Sequence, residues 1–181
     1  MSNWSKIARR IRVPLGFVFA AVFVWLARPT IVSTLIGSCV AIAGLCIRAL
    51  ASGHVEKNEV LATSGPYAHT RNPLYLGSII LAIGFLVAAK SWWLPLIAAA
   101  MLIAIYVPVI RSEESFLRER FPEFNDYAAH VPRLFPRLRA YQRRPGSFSW
   151  HLYWKHRECN AALGGGFMIA VLIAKALWFR K

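Results

Sequence analysis

The stretch Gly65-Pro66-Tyr67-Ala68-His69-Thr70-Arg71-Asn72-Pro73-Leu74-Tyr75-Leu76-Gly77 decides how this chain is read. It is polar, turn-rich and aromatic, and it runs straight into a long apolar segment. Gly-Pro and Asn-Pro break regular structure, and the residue before each proline is pushed toward extended geometry. In a membrane protein such backbone belongs at the interface or against a polar cavity, because unpaired amides cannot face lipid. The passage predicts a polar site at the mouth of a membrane helix.

Working outward, residues 13–27, 29–47, 72–89 and 91–110 carry no charged side chain, and residues 159–174 form a fifth such run before Lys175. Crossing a bilayer takes about 20 mostly apolar residues. The second and fourth runs are long enough. The first and third reach that length with polar ends and flanking aromatics such as Trp25 and Trp92. The 181 residues are 57% hydrophobic, with mean hydropathy +0.44. A soluble domain of this size does not contain several long charge-free runs. The expected fold class is all-α: a single domain over residues 1–181, forming a polytopic membrane bundle of four to five transmembrane helices.

Lys6, Arg9, Arg10 and Arg12 before an apolar run imitate a signal peptide. However, Arg28-Pro29 comes next without a small-residue cleavage site and a second span begins at once, so a retained anchor is expected. Cys39, Cys46 and Cys159 are an odd set with no Cys-x-x-Cys spacing, which points to neither a disulfide framework nor a zinc site.

The chain holds 22 Lys and Arg against 8 Asp and Glu, a net charge of +14. Under the positive-inside rule the N-terminal cluster stays cytoplasmic. Arg28-Pro29 and Lys90-Ser91-Trp92-Trp93 are then short outer turns. The loop with Lys57 and Arg71, and the long arginine-rich region from Arg111 to Arg157, both fall on the cytoplasmic side. A basic excess is also the footprint of nucleic-acid binding. No nucleic-acid module accompanies it, and arginines beside membrane spans set orientation and meet anionic headgroups.

Residues 111–121 are expected to continue the fourth span as an amphipathic helix, with Phe116, Leu117 and Phe121 near one stripe. Pro122, Pro132, Pro136 and Pro145 divide the next stretch of chain into short pieces. Residues 142–149 form a linker to a helix with Trp150, Tyr153 and Trp154. Gly164-Gly165-Gly166 lacks the Lys-Ser/Thr of a phosphate loop, which favours close packing or a hinge.

Glu113 and Glu114 end the fourth span in a chain poor in acids. Adjacent helical positions diverge by about 100°, so one carboxylate faces inward, where it can bind a cationic ligand. Arg71, Tyr67 and Tyr75 can each be interfacial anchors, but within nine residues they bring together a turn, a guanidinium, an amide and two phenols. His54, His69 and His130 stand at no metal or nucleophile spacing.

The pattern Gly65-Pro66-Tyr67-x-x-x-Arg71-Asn72-Pro73-Leu74-Tyr75-x-Gly77, with Leu61-Ala62-Thr63 before it and Glu113-Glu114 one hairpin later, resembles the isoprenylcysteine carboxyl methyltransferase family. That family belongs with the membrane phospholipid methyltransferases. Phe121-Pro122-Glu123-Phe124-x-x-Tyr127 and Val131-Pro132-Arg133 extend the resemblance, which covers about residues 53–137. It implies an enzyme dependent on S-adenosylmethionine, with cytoplasmic loops forming the cofactor site and a lipophilic acceptor entering from the bilayer. By position, it implies cofactor contacts at Glu59, Val60, Leu61, Ala62, Tyr67, Asn72, Pro73, Leu74, Tyr75 and Glu113. Arg71, Arg111 and Glu114 are the candidate catalytic residues, the arginines orienting an anionic acceptor group. Asn72 stands where the family commonly has histidine and cannot titrate. Prenylcysteine carboxylate, a phospholipid amine, an isoprenoid or a small hydrophobic thiol or amine all remain open as acceptors. A non-catalytic scaffold and a nicotinamide-dependent reductase are the alternatives. The acceptor's mouth is expected between the ends of spans two to four, with Gly77 and Ser78 facing lipid.

Overall fold

The computed structural model describes residues 3–56, 60–141 and 147–178. Lys57, Glu59, Arg143, Arg144 and most of the expected 142–149 linker lie outside the described residues. Among the described residues seven α-helices and one 3₁₀ turn occur in this order: α1 Asn3–Leu26, α2 Ile31–Ser52, the 3₁₀ turn Gly65–Ala68, α3 Pro73–Ala89, α4 Trp93–Arg120, α5 Phe124–His130, α6 Trp150–Lys155 and α7 Cys159–Trp178. No strand occurs among the described residues. Three helices, α2, α4 and α7, are long and apolar enough to cross a membrane. The apolar part of α1, Pro14–Leu26, and α3 are shorter. Large apolar side chains on the outer faces, including Phe17, Leu35, Ile103 and Phe167, are more than half exposed, as a bilayer solvent allows.

Two tight turns sit at one end of the bundle. At the first, Thr30 caps α2 through a capping box with Ser33, satisfying amides that a helix start leaves unpaired. Lys90 ends α3 in the left-handed region at φ 48°. The Arg28 amide donates to the Ala89 carbonyl at 2.7 Å, which ties the two turns together. Phe23, Ala27, Ala88, Ala89, Leu94 and Leu172 form the apolar cluster at that end.

Helices α2 and α3 touch along their backbones. A β-carbon on Gly84 would lie 2.4 Å from the Ala41 amide nitrogen, and one on Gly44 would lie 2.5 Å from that of Leu81. Within lipid, where apolar burial brings no transfer energy, close approach of small residues is what holds helices together. Gly77 belongs to this seam, with Arg48 and Gly44 against it. Its expected lipid-facing position is therefore corrected: the face of α3 that carries Gly77 is the face α2 covers.

α4 runs unbroken through the predicted fourth span and its amphipathic continuation, with a π-helical turn at Leu102–Tyr106. Pro108 lies just beyond this turn. A proline removes one amide from the helical ladder and crowds the carbonyl four residues back, and an inserted residue accommodates it. Of the three consecutive glycines, Gly165 packs on Leu45 of α2 while Gly164 and Gly166 meet nothing, so the run serves packing within a continuous helix.

Candidate active site

At the end of the bundle away from the tight turns, the polar passage 65–72, the start of α3 and the end of α4 enclose a cavity of about 760 Å³. Pro73 supplies the first helical position of α3 and leaves Asn72 in a non-helical cap conformation, as the Asn-Pro sequence dictates. The passage itself is held by the segment after α5. The Arg71 amide donates to the Pro132 carbonyl at 3.0 Å, and the Arg137 amide to the His69 carbonyl at 2.9 Å. The Thr70 hydroxyl donates to the carbonyls of Arg133 and Leu134. Leu61, Phe121, Phe124, Tyr127 and Val131 pack beneath as one apolar cluster. The Tyr127 hydroxyl donates to the Tyr67 carbonyl at 2.7 Å. Burial pushes both tyrosine hydroxyls well above their ordinary range, because a phenolate there would lose its water.

The two glutamates diverge, as adjacent helical positions must. Glu114 is 3% exposed. Arg133 grips it with Nε at 3.0 Å and Nη2 at 2.7 Å. The Asn72 amide donates to it at 3.2 Å. Arg71 completes the cluster, its Nε 3.7 Å from Glu114 Oε1, beyond hydrogen-bonding distance, so this buried nitrogen has no hydrogen-bond partner among the described residues. The hydrogen bonds that Arg133 donates to Glu114 hold its proton more firmly than usual. Glu113 is half-buried on the neighbouring face, where the Tyr75 hydroxyl donates to it at 3.0 Å. Tyr75 in turn meets the edge of Tyr106, centroids 5.7 Å apart. The π-helical turn supplies that tyrosine.

Of the residues expected at the site, Val60, Leu61, Ala62, Tyr67, Arg71, Asn72, Leu74, Tyr75, Glu113 and Glu114 line the cavity. Pro73 is buried and does not reach the lining. Arg111 is exposed and likewise stands apart from it. Glu59 lies outside the described residues. Ser78, expected to face lipid, lines the cavity and receives a hydrogen bond from Arg48.

Three contributors escape a reading of the sequence. Arg48 reads as the end of the second span, yet α2 continues to Ser52, which leaves Arg48 a turn inside a membrane helix. A lone charge at such a place is a signal of function. Arg133 stands in the Val131-Pro132-Arg133 part of the resemblance, but its role comes only from its buried partner Glu114. Tyr106 looks like a span residue, because Pro108 signals a distorted helix without saying that a π-helical turn brings Tyr106 to the cavity.

The profile of the phospholipid methyltransferase family matches residues 22–123. A cobalt-zinc-cadmium resistance protein of Cupriavidus metallidurans is 36% identical over 107 residues, 59% of this chain and 48% of its own length. A nickel-cobalt-cadmium resistance protein of Alcaligenes xylosoxydans xylosoxydans is 41% identical over 83 residues, 46% of this chain and 39% of its own length. The chain thus spans less than half the length of these curated relatives. No solved structure matches it. The profile takes in the end of the first apolar run, the second to fourth runs, the Arg71-Asn72-Pro73 passage and both glutamates in their order, over more than half of the sequence, and on that ground the chain belongs to the phospholipid methyltransferase family.

Proposed function

We propose that the chain is a multi-pass membrane methyltransferase that uses S-adenosylmethionine to methylate a lipophilic acceptor at this cavity. The observation that carries the reading is the unequal treatment of two adjacent carboxylates. Glu114 is spent on Arg133, Asn72 and Arg71, whereas Glu113 faces the cavity with one phenolic partner.

The residues present fit the cofactor. Glu113 offers a carboxylate to its ammonium group, a charge-assisted hydrogen bond. Arg71, whose Nε has no hydrogen-bond partner among the described residues, offers donors to an anionic group. Leu61, Leu117 and Tyr67 supply apolar and aromatic wall for a nucleobase. When bound, the cofactor supplies a methyl group on a sulfonium centre. The chain's own work is then positioning: Tyr75 and Tyr106 fix Glu113, the Glu114 cluster fixes Arg71 and Asn72, and the apolar walls exclude water. Holding two reactants in register removes much of the entropic cost of their meeting. Asn72 donates to Glu114 and to the Arg133 carbonyl, so at this position the chain uses an amide that braces the site and has no proton to exchange.

Five helices, α1 to α4 and α7, cross the bilayer in this reading, with the N-terminus and the cavity on the cytoplasmic side. The arginine asymmetry supports that orientation. Binding of S-adenosylmethionine to the purified, detergent-solubilised chain, measured by calorimetry with a reduced nicotinamide cofactor as comparator, tests the reading. Binding of the nicotinamide alone would replace it with the reductase.

The relatives' names favour a second reading, a role in resistance to divalent metals. Loss of metal tolerance on deletion, restored equally by the wild-type chain and Glu113→Gln, would separate such a role from methyl transfer.

A further inference from the structure

A second ion pair, half-buried at Arg48 and buried at Glu158, lies outside the cluster around Glu114. Arg48 Nε is 2.5 Å from Glu158 Oε1, and Nη2 is 3.0 Å from Oε2. Nη1 donates to the Ser78 hydroxyl, which itself donates to the Leu74 carbonyl. Glu158 is 8% exposed. It sits at the turn between α6 and α7, which Arg157 makes possible with φ 53°. This turn is fastened to the end of α2, where His156 Nδ1 lies 3.1 Å from the Ser52 carbonyl. Both the turn and α7 lie beyond the stretch matched by the family.

The pair separates two spaces. Arg48 lines the large cavity. Glu158 lines a groove of about 170 Å³, whose other walls are Ile42, Leu45, Cys46, Ala49, Tyr153 and Ala162. This groove is apolar and runs along the outer face of α2, where Ile42 and Cys46 are exposed.

We propose that this groove is the subsite for the acceptor's hydrocarbon chain, and that the Arg48–Glu158 pair is the polar partition at which the acceptor's head passes into the cavity. The inference rests on the reading of the cavity as a methyl-transfer site. A chain lying in the groove gains no transfer energy over one in the bilayer, since lipid tails are equally apolar. Selectivity must come from the head, through hydrogen bonds to charged groups in a medium of low dielectric. The occupant is therefore a single-chain lipophile with a hydrogen-bonding head. An acceptor route on this side also replaces one past Gly77, which the α2–α3 seam closes.

The test uses the full chain in phosphatidylcholine nanodiscs and a long-chain alcohol carrying a diazirine near its methyl end. Photolabelling should concentrate on Ile42, Leu45, Cys46 and Ala162, and spare Cys39, which is exposed two turns earlier on the same helix face. Unlabelled long-chain alcohol should compete roughly tenfold better than the alkane of equal length, the ratio that one hydrogen bond to a charged group gives. Ala49→Trp, which fills the groove, should abolish the labelling while S-adenosylmethionine affinity stays unchanged. Equal labelling around Cys39, or equal competition by the alkane, would mean ordinary lipid contact and would overturn the subsite even if Ala49→Trp failed to fold. Absence of S-adenosylmethionine binding would instead overturn the reading of the cavity, and the labelling pattern would still decide whether the groove binds a chain.

Discussion

Glu113 and Glu114 are one peptide bond apart, yet their environments set them different tasks. If Glu113 holds a cationic group in the cavity, Glu113→Gln should weaken S-adenosylmethionine binding by about 1.5–3 kcal/mol, the worth of a hydrogen bond to a charged group. Thermal stability should barely move, because Tyr75 can still donate to the amide; calorimetry beside a melting curve reads both. Glu114→Gln should do the reverse first, since it leaves Arg71 and Arg133 without their counter-charge. Breaking a buried pair costs about 3–5 kcal/mol, and the half-exposed side chain of Arg133 puts the expected loss at about 2–3 kcal/mol. Tyr127 makes a third case. Its folded-state ionisation is raised, so its contribution is complete below the ordinary tyrosine value near 10 and falls as pH climbs beyond it, where the unfolded chain releases the proton first. Melting temperature should drop steeply above that value. Tyr127→Phe should make the drop shallower, leaving the share of Tyr67, while lowering stability at neutral pH by about 1–3 kcal/mol, through the buried Tyr67 carbonyl left without its donor.

At the scale of elements, the α2–α3 seam is the feature most sensitive to volume. Gly84→Ala places a methyl group against the α2 backbone at Gly37 and Ala41, which cannot yield as a flexible side chain can. Overpacking of this kind costs about 1–3 kcal/mol. Gly166→Ala on α7 meets nothing within 4 Å and should be neutral or stabilising by up to about 1 kcal/mol, from helix propensity alone. Thermal melts of the two variants in one detergent give the comparison, and equal melting temperatures would refute the seam. The long helices were legible because they rest on local patterns: charge-free runs, and the Asn72-Pro73 break at the mouth of α3. The seam was not, because which face of α3 meets α2 is a property of two helices together. The same holds in the site. Tyr67, Asn72, Tyr75 and Glu113 announced themselves by residue type and spacing. Arg48 and Arg133 act through partners 110 and 19 residues away, and no local pattern encodes those.

For the molecule as a whole, the arrangement of the two polar regions is what makes a site at all. The contact between Tyr75 and Glu113 spans 38 residues, and that between Arg71 and Pro132 joins the first polar region to the second. Both regions therefore stand at one end of the bundle, opposite the turns joined by Arg28 and Ala89. In a bilayer the two ends must face different compartments. With the native cysteines replaced by serine, Ser64→Cys and Ser115→Cys in sealed inverted vesicles should react with a membrane-impermeant maleimide, whereas Ser91→Cys should react only after permeabilisation. The arginines clustered around the site end predict that sign, since their translocation is disfavoured. Labelling of Ser91→Cys alone would invert the molecule and put the cavity outside, away from an intracellular methyl donor. Labelling of Ser64→Cys and Ser115→Cys from opposite sides would contradict the fold itself.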